Sequence, residues 1–230
     1  MFSVPIHEND LIVFGGGGHG CVLIDVIRAM GIYRVVGVVD DHLLPDSMVL
    51  DVPVLGPASV LPKIYAEGVH LAVNGVGGIG NAQSRWDVFM QLEQHGFHLP
   101  IIIHPTAWIE PNAQLADGVQ IFQFAHVGTK SEIGKGSVIN VHAVLSHDVH
   151  AGMCANFSPG AILAGNVSIG DFTQVGMGAT INLNLKIGKN VRIGNNATVK
   201  ADVPEGTVVR AGTIWPLSGC SRPENPIKGE

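Results

Sequence analysis

The 230-residue sequence predicts two unlike halves, a small parallel α/β sheet followed by a parallel β-helix, on three observations. Apolar runs of strand length alternate with amphipathic helical segments over residues 9–104, a pattern that builds a parallel sheet covered by helices. From Ile109 onward the apolar period changes to six, the signature of a coil that stacks on itself. The composition suits both halves. With 30 glycines, 6% aromatic and 14% charged residues, the chain is rich in tight turns and small packed side chains, and too apolar (46%) to be disordered.

In the first half, Leu11-Ile12-Val13-Phe14 reads as a buried strand that ends in Gly15-Gly16-Gly17-Gly18-His19-Gly20. Cys21 to Met30 follows as a helix, with apolar Val22, Ile24, Val26, Ile27 and Met30 and a stop at Gly31. Val35 to Val39 is a second strand closed by Asp40-Asp41, and His70 to Val73 a third that leads into Asn74-Gly75. Ala82 to His95 is a helix stopped by Gly96, and Pro100 to Ile103 is a fourth strand.

In the second half, sixteen positions six apart run from Ile109 to Val199, and fourteen of them are Ile, Leu or Val. Four places after each comes a small or β-branched residue, as at Ala113, Val119, Ala125, Ala143, Val149, Ala155 and Ala161. Three places after each, Asn, Gly or Asp dominates, from Asn112 and Gly118 through Asp148 and Asn166 to Asp202. Those residue types tolerate positive φ, so this column marks a repeating corner. The expected boundaries are 1–104 for the α/β domain, 105–205 for the β-helix and 206–230 for a tail with several prolines.

The net charge of −6 offers no basic surface for nucleic acid, and no apolar run reaches the ~18 residues of a membrane span. Residues 1–7 lack a basic, apolar leader, and Cys21, Cys154 and Cys220 form neither a disulfide framework nor a metal cluster. The expectation is a soluble cytoplasmic protein. The glycine-rich turn opens a helix, where backbone N–H groups and the helix dipole attract phosphate. Asp40 and Asp41, about 20 residues further on, stand where dinucleotide-binding folds contact a ribose. A second mononucleotide-binding half is missing, which favours a nucleoside diphosphate over NAD. A plain turn and solvated carboxylates remain the bland alternatives. Arg85 could meet a phosphate or sit on a solvated helix face.

The hexads resemble those of hexapeptide-repeat acyltransferases, which implies a left-handed β-helix of about five coils with three hexads per coil. That hand is an exception to the right-handed crossover rule. Gly17-Gly18-His19-Gly20, the Asp-Asp strand end and Ser146-His147-Asp148 on the β-helix together resemble the bacterial nucleotide-sugar N-acetyltransferases of bacillosamine, perosamine and sialic-acid loci, over residues 10–205. The resemblance implies transfer of acetyl from acetyl-CoA to the 4-amino group of a nucleotide-linked 4-amino-4,6-dideoxyhexose, in surface-glycan (O-antigen) synthesis. No metal takes part. It makes His147 the general base and Asp148 its acidic partner. Gly165, Met177, Asn195 and Asn156 fall on the cofactor-lining positions, Asn156 where relatives carry a histidine. On the acceptor side it implies Gly17, Gly18, His19, Asp40 and Asp41, with Asn74 and Gly75 as extensions, and it implies a homotrimer with sites between subunits.

Imidazole is suited to remove a proton from an attacking amine near neutral pH. The hexad phase sets His147 outside the inward columns. A sugar O-acetyltransferase and a non-catalytic nucleotide-sugar-binding protein remain open as alternatives. A three-histidine zinc site of the γ-carbonic-anhydrase type is disfavoured: His142 and His147 have the spacing of its last two ligands, but Thr106 stands at the first.

Overall fold

The computed structural model describes residue 2, residues 5–78, residue 80 and residues 82–216. The expected tail past Pro216, with Cys220, lies outside the described residues. The first half contains β1 (Asp10–Phe14), α1 (Gly18–Met30), β2 (Arg34–Val39), β3 (Met48–Val49), β4 (Val52–Gly56), α2 (Leu61–Ala66), β5 (Leu71–Asn74) and α3 (Ala82–Gln94). They build one five-stranded sheet in the order β3-β4-β2-β1-β5, parallel except for the β3–β4 hairpin. Every residue of β1 is buried, as its position inside the sheet requires. α1 ends as read: Gly31 adopts φ 66° and its N–H reaches the Ile27 and Arg28 carbonyls.

Three sequence expectations need correction here. α1 begins at Gly18, inside the glycine run, rather than at Cys21. The hairpin and α2 escaped the reading because the turn at Leu50-Asp51 takes positive φ (47° and 64°) without the Asn or Gly that usually marks it. The fourth strand is not part of the α/β sheet. Ile102–Ile103 pairs with Gln120–Ile121 and is the first rung of the β-helix.

The hexads form three parallel sheets of seven, five and seven strands, each strand from Gln120 to Val199 paired with the one 18 residues before it. Each two-residue strand points one side chain in and one out. The inward column and the small column four places later fill a continuous core, from Val119 to Val209. The corner column behaves as expected: Gly118, Asp148, Asn166, Gly178, Asn184, Asn190 and Asn196 all have positive φ. Asn112 and Asp202, assigned to the same column, do not.

Stacking also runs past the expected end at Asp202–Pro204. The hexad after Val199 is two residues short, so Val203 takes the inward place beside Ile187. Val208–Val209 and Ile214–Trp215 then pair with Arg192–Ile193 and Thr198–Val199 in the shifted phase.

The outward residues give each face its character. On the docking face Ile102, Gln120, Val138 and Asn156 are buried under the α/β domain. On the apolar face Trp108, Ile162 and Ile214 are exposed, Trp108 by 66%. The polar face carries Gln114, Glu132, His150, Ser168 and Lys186. α1 and the sheet share a core with Ile102, Phe122 and Val138 of the β-helix. α3 docks by setting Phe89 over Gly118, where a Cβ would lie 2.5 Å from the ring. Gly118 also has φ 67°. Gly118→Ala should therefore cost about 2 kcal/mol through strain and overpacking. A lower urea midpoint would be the sign, and an unchanged one would show that the notch opens freely.

Candidate active site

His147 and Asp148 sit in the turn Ser146–Val149, at the corner between the apolar and polar faces. Asp148 is left-handed (φ 56°) and its N–H bonds the Thr129 carbonyl of the coil before, at 2.9 Å. The carboxylate lies beside the preceding imidazole, with Asp148 Oδ2 2.7 Å from His147 Nδ1. That hydrogen bond is the main reason the Asp148 carboxyl lies below its ordinary range, and the charges of Lys130, His147 and His150 act in the same direction. An ionised carboxylate only accepts, so the neutral ring carries its proton on Nδ1 and presents a lone pair at Nε2. His147 is 63% exposed, as its hexad phase requires.

Gly165 lies one coil further along the same corner. A Cβ there would stand 2.4 Å from Cε1 and 2.5 Å from Nε2 of His147, so only glycine lets the imidazole lie against this coil. The equivalent backbone N–H groups of Met153 and Met177 are bonded by Asp171 and Asn195 side chains. Among the described residues the Gly165 N–H has no partner. A basic nitrogen and a free N–H donor thus share one small surface, which suits proton abstraction beside a developing oxyanion.

The structure does not bring the other expected cofactor residues to this surface within one chain. Asn195 Oδ1 accepts the Met177 N–H at 2.9 Å, and the pair occupies the opposite corner of the apolar face. Asn156 is on the docking face, buried beneath Gly78, with its Nδ2 donating to Ser158 Oγ at 3.3 Å. It is closed off from solvent and cannot line an exposed groove here.

At the glycine loop, a Cβ on Gly17 or Gly18 would meet nothing within 4 Å, so both leave open space above the α1 N-terminus. The first helical bond is Cys21 N–H to the Gly17 carbonyl, leaving the N–H groups of Gly18, His19 and Gly20 outside the helical ladder. The remaining expected residues hold this loop. Asp40 accepts from Gly16 N–H (2.8 Å) with one oxygen and from His42 and Leu43 N–H with the other. Asp41 Oδ1 accepts from Ala58 N–H at 2.8 Å. Asp40 is thus committed to backbone, while Asp41 is exposed and its second oxygen has no hydrogen-bond partner among the described residues. Asn74 is buried between the Arg85 carbonyl and the Val76 N–H, and Gly75 packs on Gly15 where no Cβ would fit.

His19 was expected at the loop, but its partners were not. Its Nε2–H donates to Gln120 Oε1 at 2.8 Å, and Gln120 Nε2 donates to the Asn74 carbonyl. Nothing in the sequence singled out Gln120, since its outward column also carries Asn156, Gln174 and Arg192. Burial, with the Arg85 charge nearby, pushes the His19 imidazole down to about 4. The unfolded chain protonates this group near 6.5 and the folded chain resists, so stability is full above pH 6.5 and falls as pH drops toward 4. The loss should reach about 2–3 kcal/mol. Urea unfolding at pH 7 and pH 4.5 measures it, and His19→Gln should flatten the dependence.

Arg85 corrects both earlier readings. It is 1% exposed and meets neither phosphate nor solvent. Its Nε donates to the Gly136 carbonyl (2.9 Å), and Nη1 to the Val76 and Asn74 carbonyls (2.6 and 3.2 Å), clamping the α/β domain to the β-helix. Burial pulls the guanidinium down to about 10, so it stays charged at neutral pH. Burial likewise raises the Cys154 thiol to about 11, which makes it a packing residue rather than a nucleophile. Among the described residues no three of His, Cys, Asp and Glu gather as metal ligands, and Thr106 bonds His104 Nδ1. No described helix is long and apolar enough to cross a membrane.

A parallel β-helix with a His–Asp pair on one corner, joined to an α/β domain whose glycine turn leaves open space at a helix N-terminus, is the architecture of an acyltransferase. Residues 10–92 match the family described as PglD N-terminal domain, and residues 166–201 the family described as bacterial transferase hexapeptide (six repeats). Among solved structures, PerB from Caulobacter crescentus, in complex with CoA and GDP-perosamine, is 31% identical at a TM-score of 0.82, covering 89% of this chain and 95% of that one. The acetyltransferase domain of PglB from Neisseria gonorrhoeae, in complex with acetyl coenzyme A, is 30% identical at 0.83, covering 92% and 100%. WeeI from Acinetobacter baumannii is 25% identical at 0.78, covering 86% and 94%.

A curated relative, the acyl-[acyl-carrier-protein]–UDP-N-acetylglucosamine O-acyltransferase of Saccharophagus degradans, is 46% identical over 54 residues. That stretch is 24% of this chain and spans only 20% of the relative. The chain belongs to the nucleotide-sugar acetyltransferase family, with an N-terminal α/β domain and a left-handed β-helix.

Proposed function

We propose that the protein transfers the acetyl group of acetyl-CoA to the 4-amino group of a nucleotide-linked 4-amino-4,6-dideoxyhexose, for surface-glycan assembly. The observation that carries this reading is the His147–Asp148 pair with the free Gly165 N–H beside it. The amine nitrogen attacks the thioester carbonyl, the new N–C bond forms, and the C–S bond breaks to release CoA. His147 Nε2 takes the amine proton and can return it to the departing sulfur, while Asp148 holds the ring and Gly165 N–H meets the oxyanion. The open Gly17–Gly18 cradle at the α1 N-terminus holds the diphosphate.

The working assembly is a homotrimer. The His147–Gly165 corner and the Met177–Asn195 corner lie on opposite edges of the exposed apolar face, so one cofactor meets both only when a second copy supplies one of them. Covering Trp108, Ile162 and Ile214 between copies also removes the largest exposed apolar side chains of that face from water. The test is thiol release from acetyl-CoA against UDP-, dTDP- and GDP-linked 4-amino sugars, with light scattering for the assembly. Turnover with an amine and a trimer support the reading. Release only with hydroxyl sugars moves the protein to the O-acetyltransferases, and silence throughout leaves a binding protein.

A further inference from the structure

Five places in the left-handed corner column carry a residue other than its usual Asn, Asp or Gly: Phe124, Lys130, His142, Cys154 and Phe172, with φ from 50° to 59°. Such residues are strained there, and phenylalanine has no polar atom to bond the local backbone in compensation. Cys154 and Phe172 are explained by docking, since Cys154 lies against Gly136 beneath α3 and Phe172 meets Trp86 edge-on. Lys130 lends charge to Asp148. Phe124 and His142 have no such role. They stack on one another at the corner between the docking and apolar faces, with ring centroids 5.0 Å apart and planes 14° from parallel. Phe124 is 57% exposed.

The pair continues a line that starts at the glycine loop. His19, in the first turn of α1, meets Phe122 edge-on at 5.6 Å, and Phe122 and Phe124 belong to the same corner turn. The His19–Phe122 contact ties the first turn of α1 to the corner turn that carries Phe124. His142 and His147 flank the strand Val144–Leu145 and lie on opposite edges of the apolar face, so in the proposed trimer the Phe124–His142 pair faces the general base of a second copy.

We propose that Phe124 and His142 form the platform for the hexopyranose ring of the acceptor. A pyranose offers a C–H face that packs on an aromatic ring, and a 4-amino-4,6-dideoxyhexose has an unusually apolar one. The inference rests on the reading that the glycine loop holds the nucleotide diphosphate.

The experiment compares wild type with Phe124→Asn and His142→Asn by calorimetric titration. Asn is chosen because the column carries it at the same φ at positions 166, 184, 190 and 196, so both variants keep a permitted corner. The ligands are GDP- and UDP-linked 4-amino-4,6-dideoxyhexoses, with free GDP and UDP as sugar-less controls. For the nucleotide that wild type accepts, each variant should bind the nucleotide sugar about 3- to 10-fold more weakly. Affinity for the free nucleoside diphosphate should be unchanged. Equal weakening of both ligands, or of neither, overturns the platform. So does a loss of trimer by light scattering with sugar affinity intact, which would assign the pair to a subunit contact. Wild type that binds no nucleotide at all overturns the nucleotide reading itself, a distinct result.

Discussion

His147→Ala should lower kcat about 10²- to 10⁴-fold, the usual worth of a positioned general base. The KM for acetyl-CoA should move little, because the imidazole contributes to the proton's path rather than to cofactor grip. Asp148→Asn should fall between the variant and wild type. Asparagine offers an N–H as well as a C=O, so it no longer fixes the proton on Nδ1 and the lone pair on Nε2. Steady-state thiol release measures both. Activity retained within about tenfold in His147→Ala would remove this histidine from the chemistry, whatever the fate of its neighbour.

The largest expected effect on stability lies at Arg85. Arg85→Met removes three donated hydrogen bonds and leaves the Gly136 and Val76 carbonyls facing an apolar chain, while the Asn74 carbonyl keeps Gln120 Nε2. Buried acceptors stripped of a charged donor should cost about 3–5 kcal/mol in total. Lysine should not rescue, since one ammonium cannot reproduce the fork that spans both halves of the molecule. Urea unfolding followed by circular dichroism reads the loss, and a drop under about 1 kcal/mol would mean the clamp is dispensable.

The β-helix was legible because its physics is periodic: each coil buries the same column, so Ile109 to Val199 declares itself. The reading failed where the period slipped. The short hexad between Val199 and Val203 left two further rungs unread, and Ile102–Ile103 looked like a sheet strand because it too is an apolar run. In the site, His147 and Gly165 were legible from phase and resemblance, and their contact follows from an 18-residue separation in the sheet register. Asp40, Asn74 and Arg85 were not. A carboxylate spent on backbone N–H groups and a guanidinium spent on carbonyls leave no mark in sequence, because their partners are atoms that every residue carries. Phe124 and His142 were visible as residues, but their stacking depends on a corner conformation normally reserved for Asn and Gly.

The buried seam around Ile102, Phe122 and Val138 has a consequence for self-association. A solenoid whose last coil shows bare backbone N–H and C=O groups can be extended by any strand that arrives, including another copy of itself. The α/β half buries the Ile102 side chain on the docking face, while the first-coil strands Trp108–Ile109 and Gln114–Leu115 keep open edges, so the docked half guards one of the three sheets against such growth. A β-helix cut free of the α/β half would expose that third edge as well, and its hazard would be edge-to-edge growth rather than simple unfolding.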